Sequence, residues 1–387
     1  MESQPLRSSD IRERNEKIIL GLIRSRKALF QSEAVQLTGL RAPTVFRIFS
    51  ELERKGFIRT TETPSDGEDR RGRKPQFFQV VPETFFAVGI DFWALSATIT
   101  VCDFAGKVIF TEGRDFPAAM DASGLLENLF PLIERAYRMV ALPKDRVLGF
   151  GIGAPGRIDL AAGTILAYPR IAGLNGFPLA ERVSARFGIP VYLHNNASLI
   201  AVAEQRHGGA SEFRSLFALL VRSGVGGAYL EDGKPFTTLG RSAVEVGHMC
   251  LDCDGPACSC GGRGCLEAYV SEEGILSFVP AKFKVATLKD FETVLAAYRD
   301  ELLESLQEPL RIFERGVRNI YTLFAPECFL VISRSAPYAD LLASHLRQNI
   351  GDLLRVDGSP VRVLSDCYDA ARIGRGAADL VFDRYLS

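Results

Sequence analysis

The sequence predicts an α/β protein carrying a small, basic, mostly helical head. Three observations carry that expectation. From residue 85 onward, short apolar strand segments alternate with helical ones, the pattern of α/β domains with mixed sheets. Residues 11–60 hold helical segments in quick succession instead. At 387 residues the chain is also too long for one ordinary domain and fits two or three. With 47% hydrophobic and 24% charged residues, it has the composition of a globular protein, which excludes wholesale disorder.

The head is read element by element. Ile18, Ile19, Leu22 and Ile23 recur at helical spacing, and Ser25–Lys27 is a polar break. Ser32 opens a second helix that stops at Thr38-Gly39-Leu40. Pro43 sits at a first helical position, and Thr44–Lys55 forms a third helix with Val45, Ile48, Phe49 and Leu52 inside. Gly56 ends it, a strand begins at Phe57-Ile58, and another runs from Phe77 to Val81. Between them lies a polar segment ending Arg70-Arg71-Gly72-Arg73-Lys74-Pro75. The order is that of a winged helix–turn–helix, and the head is expected to span residues 1–81.

In the body, strands are expected at Phe86–Asp91, Ala97–Asp103, Lys107–Phe110, Val147–Gly153, Val191–His194, Leu216–Val221 and Ala228–Leu230. Helices are expected at Leu125–Met139, Ala197–Gln205, Glu308–Phe324, Tyr338–Leu354 and Asp369–Phe382. No short-period repeat or low-complexity tract is visible.

Charge separates the two parts. Residues 1–80 hold 16 Lys/Arg against 11 Asp/Glu, a net +5, while the remaining 307 hold 30 against 36, a net −6. A basic head on an acidic body suggests an anionic partner for the head alone. A recognition helix needs base-reading groups in its first turns. Arg41, Thr44 and Arg47 supply them: arginine reads guanine through two bonds and threonine meets the thymine methyl. Arg71, Arg73 and Lys74 would be a wing reaching the minor groove. The expected partner is operator DNA; the alternative is a three-helix protein-interaction module.

No stretch reaches the ~18 apolar residues a membrane helix needs. The polar start, Met1–Asp10, lacks the apolar core of a secretory signal. A cytoplasmic protein without a membrane partner is expected. Five of eight cysteines fall between Cys250 and Cys265, and in a reducing compartment such clustering favours metal over disulfides. A structural zinc site takes four such ligands, and His248, Cys250, Cys253, Cys258, Cys260 and Cys265 are six candidates for the four places.

The run Glu245-Val-Gly-His248, followed by Cys258-Ser-Cys260-Gly-Gly-Arg-Gly-Cys265-Leu-Glu267, closely resembles the signature of the ROK family of repressors, open reading frames and sugar kinases. Gly151-Ile-Gly-Ala-Pro155-Gly156, Leu174-Asn175-Gly-Phe-Pro178-Leu179, His194-Asn195-Asn196-Ala197 and Gly224-Val-Gly226-Gly227 resemble further family segments. The head is similar to the winged helix–turn–helix of the family's repressors, including those for xylose and N-acetylglucosamine genes. The resemblance implies a two-lobed actin-like, hexokinase-like body. Its first lobe would span 82–195 plus 370–387, and its second, with the zinc site, 196–369. It implies zinc ligation by His248, Cys258, Cys260 and Cys265, leaving Cys250 and Cys253 as free thiols. It also implies sugar contacts from Asn175, Asn195, Asn196, Glu245, His248 and Glu267.

Several kinase parts are altered against that pattern. The first phosphate loop, Asp-x-Gly-Gly-Thr in the family, reads Asp91-Phe92-Trp93-Ala94-Leu95-Ser96. Asn196 occupies the catalytic-base position, and an amide cannot take a hydroxyl proton near neutral pH. The late glycine pair facing adenosine is Ser333-Arg334-Ser335, and the second phosphate loop begins Arg222-Ser223 in place of Gly-Thr. The expected function is a sugar-responsive DNA-binding regulator, a repressor, on a catalytically degenerate kinase scaffold, acting as a homodimer or homotetramer. No catalytic residue is assigned. The alternative is an ATP-dependent sugar kinase.

Overall fold

The computed structural model describes residues 8–61, 76–117, 120–168, 170–242, 244–355 and 357–387. The head comprises α1 (Ser8–Arg26), β1 (Leu29–Phe30), α2 (Gln31–Thr38), α3 (Ala42–Arg54), β2 (Ile58–Thr61) and β3 (Phe77–Val80). Gly39, at φ +67°, ends α2 in the left-handed conformation glycine tolerates best. Pro43 lies in the first turn of α3, and Val45, Ile48, Phe49 and Leu52 are all buried on one stripe. The three strands form one antiparallel sheet in the order β1-β3-β2. The sequence reading missed β1, which is only two residues long.

The first lobe carries β4 (Phe86–Trp93), β5 (Ser96–Asp103), β6 (Val108–Asp115), α4 (Ala122–Met139), β7 (Val147–Ala154), β8 (Arg157–Asp159), β9 (Thr164–Ala167), α5 (Leu179–Phe187) and β10 (Val191–Asn195). Next come α6 (Asn196–His207), β11 (Ser215–Val221), β12 (Val225–Glu231), β13 (Lys234–Pro235), β14 (Thr237–Thr238) and β15 (Arg241–Ser242). The second lobe continues with α7 (Leu266–Val270), α8 (Glu272–Ser277), α9 (Leu288–Ala297), α10 (Arg299–Ser305), α11 (Gln307–Phe324), β16 (Cys328–Ser333), α12 (Ala336–Asn349) and β17 (Arg362–Cys367). The chain closes on α13 (Ala370–Leu386).

Two five-stranded sheets have one plan. In the first the order is β10-β7-β4-β5-β6, with β10, β7 and β4 parallel and β4-β5-β6 an antiparallel meander. In the second it is β17-β16-β11-β12-β13, with β17, β16 and β11 parallel and β11-β12-β13 antiparallel. The repeat is structural only; the two halves share no visible sequence period. Strand β4 is buried along nearly its whole length because the sheet is covered on both faces, so its sequence reads as an apolar run rather than an alternation.

Helices α6 and α13 pack together between the sheets. The first nine residues of α6, Asn196 to Glu204, are all buried, as a helix covered on every side must be. Close approach depends on missing side chains. A Cβ at Gly89 would lie 1.7 Å from the Gly374 carbonyl oxygen, and one at Gly376 would lie 2.2 Å from that of Leu199. The head is not a separate core. Ile19, Leu20 and Ile23 of α1 share a cluster with Phe104 of the first lobe and with Ala378, Val381 and Phe382 of α13. Aromatic contacts run from Phe57 to Phe85 at 5.1 Å, from Phe85 to Phe104 at 5.3 Å and from Phe104 to Phe382 at 5.6 Å.

Candidate functional site

A cleft of about 440 Å³ opens between the lobes at the N-terminal end of α6. Asn195 ends β10 and caps the helix: its Oδ1 accepts from the Ala197 N–H at 2.8 Å, and its Nδ2 donates to the Gly156 carbonyl at 2.9 Å. Gly156, at φ +77°, brings that carbonyl into place, and a Cβ there would lie 2.1 Å from the Ala167 carbonyl. Asn196, the first residue of α6, is 5% exposed, and its Nδ2 has no hydrogen-bond partner.

Glu245, His248 and Glu267 line the opposite side. Glu267 is held by two donors: the Val225 N–H reaches Oε2 at 3.1 Å and the Ser259 hydroxyl reaches Oε1 at 2.8 Å. Ser259 lies between two of the clustered cysteines, so the cysteine loop grips Glu267 directly. The sequence reading missed that contact, because a lone serine in a glycine-rich loop carries no signal of its partner. Asn175 does not line the cleft. It is exposed and turns back on its own loop, its Oδ1 accepting from the Tyr168 N–H at 2.7 Å.

Ligand atoms of His248, Cys258, Cys260 and Cys265 all lie within 4.8 Å of one another. The Cys258 Sγ to His248 Nδ1 distance is 3.6 Å, and the Cys260 Sγ to Cys265 Sγ distance is 3.7 Å. Tetrahedral zinc, with bonds of about 2.3 Å to sulfur and about 2.0 Å to nitrogen, requires edges of about 3.6–3.8 Å. Donor set and spacing therefore fit the ion. Nδ1 is the ring nitrogen turned toward the cysteines, and His248 also lines the cleft.

On the other side of the cleft, Trp93 stands between two guanidinium groups, with Arg334 5.0 Å and Arg222 5.6 Å from its ring centroid. Arg222 also lies 4.5 Å from the Tyr368 ring. Tyr368 donates its hydroxyl to Asp91, and burial pushes the Asp91 carboxyl up to about 6 against the opposing pull of Arg222. Arg334 pairs with Glu272, its Nε 2.7 Å from Oε1.

The far end of α6 is tied to the head. His207 Nε2 lies 2.6 Å from Asp379 Oδ2, and Arg24 of α1 reaches Oδ1 at 2.5 Å. Arg24 also donates to the Phe104 carbonyl at 3.0 Å and covers the Phe382 ring at 4.3 Å. Asp379 is 1% exposed, yet these partners hold its carboxyl well below the usual range. His207, an exposed residue at the end of α6, thus pairs with an acid supplied by another helix.

On α3, Arg41 and Arg47 are exposed and Thr44 half-exposed, all on the face opposite the core. Phe46 beside them is 45% exposed, an apolar group that the sequence reading passed over. Arg71, Arg73 and Lys74 lie outside the described residues.

A family profile, that of the ROK family, matches residues 87–383. The chain belongs to the ROK family. ROK relatives of both kinds, regulators and kinases, are similar to it. The xylose repressor of Caldicellulosiruptor bescii is 29% identical over 350 residues, covering 87% of each chain. The glucokinase of Thermotoga maritima is 33% identical over 321 residues, covering 77% of this chain and 97% of its own. Among solved structures, a ROK family transcriptional regulator described as a homologue of Escherichia coli Mlc superposes with a TM-score of 0.79 at 20% identity, covering 97% of this chain and 98% of its own. A ROK glucokinase from Streptomyces griseus, in complex with glucose and AMPPNP, superposes at 0.65 and 24% identity, covering 76% of this chain and 98% of its own. The glucokinase match leaves the head uncovered, whereas the regulator match includes it.

Proposed function

We propose that this protein is a sugar-responsive DNA-binding transcriptional regulator, a repressor of carbohydrate-use genes, on a ROK scaffold that no longer transfers phosphate. One observation carries the reading: a single helix, α6, joins a polyol-type cleft to the head. Its first residues, Asn195 at the cap and Asn196, face the cleft, and its last, His207, shares Asp379 with Arg24 of α1. Carboxylates, an imidazole and amides converging in one cleft offer the mixed donors and acceptors that sugar hydroxyls need. The hydroxyl-binding set is Asn195, Asn196, Glu245, His248 and Glu267. Asn175, exposed and outside the cleft, is not retained in it.

Zinc on His248, Cys258, Cys260 and Cys265 would fix the loop that orients His248 and, through Ser259, Glu267; the bound ion supplies structure alone. A sugar that fits one lobe arrangement better than the other shifts the population toward it. The shift reaches α1 through α6 and α13, whose packing leaves no room for independent movement. Two heads in a dimer would then lose the spacing that two half-sites require. On this reading the chain divides into a head, 1–81, a first lobe, 82–195 with 370–387, and a second lobe, 196–369. The wing of Arg71, Arg73 and Lys74 adds phosphate contacts beside Arg41, Thr44 and Arg47, and operator DNA is the partner.

A kinase is the second reading, favoured by the similarity to glucokinases. Against it stand Asn196 in place of a base and the Trp93–Arg222–Arg334 cluster where phosphates need open backbone. The test is selection of bound fragments from the protein's own genome, sequenced with and without pooled sugars, beside a coupled ATP assay. A pseudo-palindromic site lost on adding sugars is the expected result. ATP-dependent sugar turnover at ordinary enzyme rates would overturn the reading.

A further inference from the structure

Two buried donors in the cleft have nothing to donate to. Arg222 is 6% exposed and its Nη1 has no hydrogen-bond partner; Asn196 is 5% exposed and its Nδ2 has none either. Native structures leave few such groups, and both of these line the same cleft. They are neighbours around the start of α6. Asn196 is its first residue, and Arg222 directly follows β11. Strand β12, which follows the turn at Arg222, lies against the helix: a Cβ at Gly226 would be 3.4 Å from the Ala197 Cβ. The N-terminus of this twelve-residue helix adds partial positive charge at the same place.

Arg222 is also preorganised. The rings of Trp93 and Tyr368 flank its guanidinium, whose Nη1 is buried without a hydrogen-bond partner. Arg170 adds a second positive charge at the rim, where its Nη2 donates to the Ser223 carbonyl at 2.8 Å. The nearest acid behind Arg222 is Asp91. It does not line the cleft; its Oδ2 takes the Tyr368 hydroxyl, while its Oδ1 is buried without a hydrogen-bond partner. On the hydroxyl-binding side, Glu267 is occupied by Ser259 and the Val225 N–H. A neutral sugar would satisfy the acidic side and bring no charge to the cleft side of Arg222, whose counter-charge within the protein is Asp91.

We propose that the cleft takes an anionic monosaccharide, a sugar phosphate or a uronate, its acidic group held by Arg222, Arg170 and the Asn196 amide. Its hydroxyls meet Glu245, His248 and Glu267. An arginine fork matches carboxylate and phosphate geometry alike, so the two sources share one recognition chemistry. The inference rests on the sugar-responsive reading and names the ligand class for it.

The experiment is titration calorimetry on the full-length protein with matched sets. These are glucose, mannose and N-acetylglucosamine, each against its 6-phosphate, then glucuronate and galacturonate, with xylose as a further neutral sugar and inorganic phosphate as control. At least one anionic sugar is expected to bind tenfold or more tighter than its neutral parent. Arg222→Gln should weaken anionic-sugar binding at least tenfold more than it weakens neutral-sugar binding, and Arg222→Lys, which keeps the charge beside Asp91, should keep part of the preference. Phosphates leading the panel would identify the ligand as a sugar phosphate, uronates leading it as a sugar acid. Neutral sugars binding as tightly as anionic ones, or Arg222→Gln binding like wild type, would overturn the inference and leave the sugar-responsive reading standing. Inorganic phosphate binding as tightly as the sugar phosphates would also overturn it. Binding of no sugar at all by a protein that still holds its operator would overturn both.

Discussion

Individual side chains set both ends of the signal. Arg47 is exposed on α3 beside Phe46, three residues beyond Thr44, so it extends from the face that would meet base edges. Replacing a base-reading arginine removes about 1–3 kcal/mol of discrimination. Arg47→Ala should therefore weaken operator binding by that amount in fluorescence anisotropy and barely change binding to random DNA. His194, buried under the cleft in β10, illustrates a different kind of residue effect. Burial pushes its imidazole down to about 4, and the charge of Arg384 acts in the same direction, so the folded state holds it neutral. The unfolded chain protonates near pH 6.5, which means protons favour unfolding. Its contribution is complete above that pH and falls away between about 6.5 and 4, by up to ~3 kcal/mol. Denaturant titrations across that window should show the loss, and His194→Gln should flatten it.

Single elements pass the effect on. The loop from His248 to Cys265 has little apolar packing of its own, and zinc on its four candidate ligands would supply order. Cys258→Ser, or removal of metal by a strong chelator, should release Ser259 and with it Glu267. Weaker sugar binding by tenfold or more, with operator binding intact, is the expected calorimetric result. At the other end of α6, Asp379 is shared between two helices and the head. Arg24→Met keeps the contact on Phe382 but removes the charge, leaving a buried carboxylate with His207 as its remaining close partner. Breaking a buried pair in this way costs about 3 kcal/mol or more. The variant should melt earlier, bind sugar normally and bind operator without sugar. Added sugar should no longer release the DNA in an anisotropy competition, because the helix that senses the cleft has lost its grip on α1.

At the scale of the whole molecule, two sheets of one plan flank the packed pair α6 and α13, the axis about which the proposed closure would turn. The cleft is lined from both lobes, by Asn195 of the first and by Asn196, Glu245, His248 and Glu267 of the second. Closure on a ligand there should reduce the radius of gyration in solution X-ray scattering. Glu245→Ala should bind operator, show no contraction with sugar and fail to release DNA. Contraction of that variant equal to wild type would count against the cleft as the sensor.

Much of this was legible before any coordinate. The helices of the head were found because Val45, Ile48, Phe49 and Leu52 recur at the helical period, and such a stripe is set by the sequence alone. Six candidate ligands stood out because soft donors cluster within eighteen residues, a local property, and the resemblance to the family signature chose the four whose ligand atoms lie within 4.8 Å of one another. Strands β16 and β17 were missed: β16 is buried on both faces and β17 alternates only weakly, so neither declares a period. Helices α7 to α10 were missed because each is short and takes its order from packing rather than from its own turns.

What the sequence determined by itself are the features written within a few residues of one another: the helical stripes, the cysteine loop and the basic head. The tertiary structure alone decided which distant groups meet. It turned Asn175 out of the cleft, set Trp93 between Arg222 and Arg334, and brought Arg24 and His207 together on Asp379, 355 and 172 residues away in the chain. The reason is physical. Periodicity and ligand spacing follow from local backbone geometry, whereas a buried charge finds its partner only after two sheets and two helices have closed around it.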